Sequence, residues 1–209
     1  MRAKTVNEFQ RGEDPKKSLN IGMTGPNRFS RLGKGKFAST TLDYEAIAEK
    51  YKPRGEIKHL LICEAPPHEN PDNYFYIPRE KGVGTGFQGF HASLPGLVFK
   101  KFLGYVPTNK MEYVLCLKKL QAMGVWVIDL VPEPLVVNTR ASGVDPEAVD
   151  VLVDAVPDLK RRVDDLGVPY KNIILLNLRS RVNTALIKAF PGAKPYKTWK
   201  QFLTDHQIS

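Results

Sequence analysis

The sequence predicts an α/β protein, a three-layer α/β/α sandwich around a small, mainly parallel central sheet of about four strands. Two observations carry that expectation. The runs Ile57–Cys63, Val125–Leu130 and Asn172–Leu178 are apolar at nearly every position, as strands covered on both faces must be. Stretches with helical spacing separate them, and these are long enough to cross over between parallel neighbours. A chain of 209 residues with 42% hydrophobic content can bury one substantial core, and no shift in composition argues for two equal domains. The expected organisation is a basic N-terminal arm over residues 1–41 and an α/β domain over residues 42–209.

The arm is polar and broken by Gly12, Pro15, Gly22, Gly25, Pro26, Gly33 and Gly35, so it has little apolar surface to offset its ordering entropy. Arg28, Arg31, Lys34 and Lys36 are its candidate contacts to a phosphate backbone, with Phe29 and Phe37 as anchors. The competing expectation is a solvated tail that wraps the domain. Asp43 reads as the N-cap of a short helix over residues 44–51, stopped by Pro53. After the first strand, residues 64–96 carry prolines and glycines that argue against any continuous element, and a loop of that length is usually functional. Residues 109–123 restore helical spacing, with Met111, Val114, Leu115, Leu117, Leu120 and Met123 expected on the apolar side and Gly124 as the C-terminal cap. The second strand, Val125 to Leu130, ends in Val131-Pro132-Glu133-Pro134. A helix is expected from Asp145 to Leu166, broken or kinked by Pro157. The third strand follows, then a helix over residues 180–190, a short fourth strand near Lys194–Tyr196 and a last helix from Thr198 to His206.

A formal net charge of +9, from 31 Lys and Arg against 22 Asp and Glu, favours a polyanionic partner through long-range attraction and counterion release. Two cysteines make neither a disulfide framework nor a metal cluster, and no metal-ligand spacing stands out. No apolar run reaches the ~20 residues needed to cross a bilayer, so a soluble, cytoplasmic protein without cofactor is expected.

Chemistry is expected where the buried strands end, because open α/β sheets bind ligands beyond their carboxyl ends. Glu64 stands directly after the first strand, before the sharp turn at Pro66-Pro67, where a carboxylate can position or deprotonate a water. The alternative is a salt-bridged acid that holds the loop. Asp129, at the end of the second strand, has the same topology; its alternative is a helix cap or an ion pair with an arginine such as Arg140. Tyr74, Phe75 and Tyr76 offer rings that stack on a flat ligand, with at least one expected to pack beneath the loop. The string Gly84-Thr85-Gly86-Phe87-Gln88-Gly89 matches a dinucleotide fingerprint only as letters, since no strand precedes it, and reads better as a flap. His68 and His91 are lone loop histidines, and Ser93, Ser142 and Ser180 lack the context of an activated nucleophile.

Leu60-Leu61-Ile62-Cys63-Glu64-Ala65-Pro66-Pro67 resembles the first motif of the uracil-DNA glycosylase superfamily, above all the branch in which it reads Gly-Glu-Ala-Pro-Gly. The order of later elements agrees: Val125 to Pro134 resembles the strand and loop that carry the base-reading residue, and residues 172–190 the following strand and helix. The resemblance spans residues 55–205 and implies a DNA-base glycosylase acting on a flipped base. It would make Glu64 the water-activating acid, Pro66 and one of Tyr74 to Tyr76 part of the base platform, and Asp129 the reader of the base edge. The sequence departs from the family at Cys63 and Pro67, which stand in place of glycines, and at Asp129, in place of an asparagine; an ionised carboxylate cannot donate to a carbonyl oxygen. The family's His-Pro-Ser motif is absent; that region reads Lys194-Pro195-Tyr196-Lys197, where Lys197 would offer a point charge. Two other classes stay open: a non-catalytic nucleic-acid-binding protein on the same fold, and a small-molecule or nucleotide hydrolase using the same crevice.

Overall fold

A computed structural model describes residues 40–68, 70–78, 93–136, 146–176 and 178–206. The arm residues Arg28, Arg31, Lys34 and Lys36, the glycine-rich stretch 82–89, His91, Arg140 and Ser142 lie outside the described residues. Helix α1 (Tyr44–Glu49) begins where the Asp43 side chain accepts from the Ala46 N–H at 2.9 Å. It leads to strand β1 (His59–Cys63), a 3-10 turn at Pro71–Asn73, and helices α2 (Leu94–Leu103) and α3 (Lys110–Met123). Strand β2 (Val125–Asp129), helices α4 (Pro146–Asp154) and α5 (Val156–Asp165), and strand β3 (Ile173–Leu176) follow. Helix α6 (Ser180–Ala189), strand β4 (Lys194–Tyr196) and helix α7 (Trp199–Thr204) complete the described chain.

The four strands form one parallel sheet in the order β2-β1-β3-β4, flanked by helices, as the α/β/α expectation requires. Leu60, Leu61, Ile62, Ile173 and Leu175 have no exposed surface, which explains why these strands read as unbroken apolar runs. Cys63 lies opposite Asp129 in the parallel register, so the β1 and β2 carboxyl ends are level.

Strand β2 stands at the edge of the sheet, where an unpaired strand exposes a row of polar backbone groups. The Tyr76 hydroxyl covers that edge: it accepts from the Val127 N–H at 2.7 Å and donates to the Val127 carbonyl at 2.9 Å. One side chain thus satisfies both free groups of Val127. Trp126 fastens α1 to the same strand, its indole N–H donating to the Ala48 carbonyl at 3.1 Å.

Two expectations change. Helix α2 falls partly inside the stretch read as irregular, because Pro95 occupies its first turn, where a missing N–H costs nothing. Leu97, Val98, Phe99 and Phe102 then face the core. Helix α3 has the expected bounds but a different buried face. Tyr113, Cys116, Leu117 and Leu120 are buried, whereas Met111 is 76% and Leu115 50% exposed. Tyr113 decides that rotation, since its hydroxyl donates to the Phe75 carbonyl at 2.8 Å in the interior. The break expected at Pro157 is present: the stretch up to Leu166 holds two helices divided at Ala155, and Pro157 serves the first turn of the second.

Candidate functional site

All strands being parallel, their carboxyl ends share one edge of the sheet, and the sequence places charge at each. The chain runs from β1 to β2 on one side, then crosses to β3 on the other side of β1. The connections therefore part between β1 and β3, and such a switch point opens a crevice beyond the strand ends.

Glu64 stands at that point. Its Oε1 accepts from the backbone N–H of Arg179 at 3.0 Å, and its Oε2 accepts from Arg179 Nη1 at 2.7 Å. Arg179 precedes α6 and leaves that helix without a side-chain cap of its own, so a carboxylate from the neighbouring strand end sits at the positive pole of the helix. The two side chains keep 25% and 27% exposure, so the pair remains open to a ligand. Of the two sequence readings, the salt-bridged acid is present, and its geometry leaves acceptor capacity on both oxygens.

Asp129 belongs to a separate recess. It lines a cavity of about 60 Å³ between α1, β2 and α5, bordered also by Tyr44, Glu45, Tyr74, Trp126 and Arg162. Burial pushes its carboxyl up to about 7, with Glu45 adding to the rise; the Arg162 charge and a hydrogen bond with Tyr74 oppose it. Arg162 does not neutralise this acid more strongly because its Nη2 donates to the Asp129 and Leu130 carbonyls, at 3.1 and 2.7 Å. Its other nitrogens face Glu45 and Asp158. The arginine braces the strand end rather than the acid side chain.

Cys63 lies between the two acids. Burial drives its thiol well above the ordinary range, and the charges of Asp129 and Glu64 add to the effect. That direction keeps the thiol protonated at neutral pH. Glu133, in the loop after β2, is also raised by burial, and its Oε2 is buried without a hydrogen-bond partner.

The three aromatic candidates separate. Tyr74, Phe75 and Tyr76 are only 5%, 3% and 4% exposed, so they do not form a joint platform. Phe75 packs against Phe99, with ring centroids 5.9 Å apart, and Tyr76 covers the β2 edge. Tyr74 alone borders the cavity; its hydroxyl donates to the Tyr44 carbonyl at 3.1 Å. Pro66 is buried, and Glu64 is not among the residues lining the Asp129 cavity. Lys197 is exposed just beyond β4, where its N–H donates to Gln201 Oε1 at 3.1 Å.

Sequence reasoning missed Arg179 and Arg162. The first stands within three residues of the end of β3, the same position that singled out Glu64 and Asp129, so the strand-end rule would have found it. The second sits inside α5 with no signal in its spacing. Among the described residues, no helix is long and apolar enough to cross a membrane. Comparison with models of protein families, with curated proteins and with solved structures finds no match to this chain.

Proposed function

We propose that the protein acts on a nucleobase carried by DNA, hydrolysing its N-glycosidic bond as the uracil-DNA glycosylase superfamily it resembles does. The observation that carries the reading is the partly exposed Glu64 carboxylate at the switch point, one residue past the level register of Cys63 and Asp129. In the proposed reaction Glu64 orients a water and takes its proton as the oxygen bonds to C1′ of the sugar. The C1′–N bond breaks, and the base leaves with its electrons. The Asp129 recess receives the base edge beside Tyr74, and Lys197 with the basic arm follows the phosphates. Extruding a base costs a few kcal/mol, which edge hydrogen bonds in a desolvated recess offset. Two free cysteines suit work in a reducing cytoplasm.

The test is base release from a panel of lesion-bearing oligonucleotides by the wild type and Glu64→Gln. The reading predicts release of at least one base by the wild type and a rate lower by about 10²-fold or more in the variant. Equal rates, or no release from any substrate, contradict it.

A second reading has its own support. Both Glu64 oxygens engage Arg179, as expected of an acid that fastens β1 to α6 in a protein that binds nucleic acid without cleaving it. That reading predicts steeply salt-dependent binding to plain single-stranded DNA with no base release.

A further inference from the structure

The Asp129 recess offers its occupant mainly acceptors; among the described residues that line it, the buried Arg162 Nε, 3.5 Å from Asp158, is the donor left without a hydrogen bond. The Trp126 indole N–H is spent on the Ala48 carbonyl, and the Tyr74 hydroxyl is shared between the Tyr44 carbonyl and Asp129 itself. The Tyr44 hydroxyl faces the Pro67 carbonyl at 3.4 Å, and the Arg162 Nη groups are spent on two backbone carbonyls and on Glu45. Against that one donor stand three carboxyl groups in the lining, Asp129 of β2 with Glu45 and Glu49 of α1.

We propose that this recess takes the edge of a guanine-type base, two adjacent N–H donors shared by the oxygens of Asp129, in preference to the carbonyl edge of uracil. The proposal rests on the nucleobase reading above and names the substrate class within it: a damaged guanine whose N1–H and 2-amino group are intact and whose glycosidic bond is weakened. Damage lowers the cost of extrusion, and the edge supplies the selection. A cavity of about 60 Å³ admits an edge rather than a whole purine, so the ring plane lies toward the mouth.

The groups around Asp129 set how uptake depends on pH. Tyr44 and Glu45 face it from α1, Cys63 from β1, Tyr74 and Tyr76 from the loop after β1, and Arg162 from α5. Glu133 follows in its own loop. In the empty recess the carboxyl holds its proton up to about pH 7. Two N–H donors need the ionised form, so the proton leaves as the edge enters. Affinity therefore weakens by about tenfold per pH unit below that value and levels off above it.

The experiment uses the full chain and oligothymidylate strands that carry one central guanine, hypoxanthine or uracil, with binding read by fluorescence anisotropy. Guanine and hypoxanthine differ by the 2-amino group alone. Near pH 8 the wild type is expected to prefer guanine over both others by about tenfold, the preference shrinking toward unity near pH 5.5. Asp129→Asn keeps the shape and offers one donor and one acceptor at every pH. Its guanine-to-hypoxanthine ratio is expected to be near one throughout, and its uracil affinity to rise. A thermal melt of the variant checks that it folds. Wild-type preference for uracil, or a guanine preference independent of pH, overturns this proposal and leaves the nucleobase reading standing. Equal affinity for all three strands together with no base release from the lesion panel overturns both.

Discussion

Glu64 and Asp129 stand at equivalent places in neighbouring strands, yet the fold gives them different partners. Glu64 meets the Arg179 guanidinium and the backbone N–H that opens α6. Asp129 meets burial, which outweighs the opposing charge of Arg162 and favours the neutral acid. Because its folded value lies above the ordinary carboxylate value, the native state binds this proton more tightly than the unfolded chain. Its contribution to stability is complete below about pH 4 and is lost as pH rises toward 7. Asp129→Asn removes that slope, so near pH 8 the variant is expected to be the more stable by about 2–4 kcal/mol, the gap closing in acid. Urea denaturation across pH measures it, and parallel curves for the two proteins would contradict it. Tyr76→Phe keeps the ring stacked on Tyr51 but leaves both Val127 groups unsatisfied at a buried edge. A loss of about 2–3 kcal/mol is expected in the same measurement. The two acids were legible in the sequence because strand ends are legible. Their partners were not, since Arg179 and Arg162 lie 115 and 33 residues away along the chain and meet them only through the fold.

Elements were read well where one periodicity dominated and less well where a single residue decided. The strands and the last two helices fall within a few residues of their expected bounds, because a buried parallel strand admits few polar positions. Helix α2 escaped because its Pro95 looks the same in a sequence whether it ends a helix or begins one. The face of α3 escaped because Met111 and Leu115 are apolar yet exposed, while the buried Tyr113 makes a polar contact. Gly124 joins α3 to β2 and was read correctly as a cap, for a reason the structure sharpens. Its φ is +81°, and a Cβ there would stand 2.7 Å from the Glu56 carbonyl oxygen. Gly124→Ala is therefore expected to cost about 2 kcal/mol or more, above the usual penalty of a left-handed position. A loss of less than about 0.5 kcal/mol in urea denaturation would show that the α3–β2 junction yields to the added methyl.

At the scale of the molecule, the parallel sheet does the organising. Four strands running one way deliver Asp129, Glu64, Arg179 and Lys197 to one edge from four distant parts of the chain. The sequence indicated that edge through proline-rich breaks after apolar runs. It did not show that the edge divides into two compartments, an ion pair at the switch point and an acceptor-lined recess beside it. That division follows from which neighbours the crossover helices bring in. The opposite edge carries a larger groove of about 430 Å³ formed by the loops around residues 52–57 and 165–169, and it provides an internal comparison. The most direct measurement is an NMR titration of the full chain with a single-stranded oligonucleotide bearing one modified base. Amide shifts are expected at Glu64 and Ala65, at Asp129 to Val131 and at Arg179 to Arg181, with those of 52–57 and 165–169 unmoved. Perturbation confined to the amino-end groove, or none at either edge, would contradict the assignment of function to the carboxyl edge.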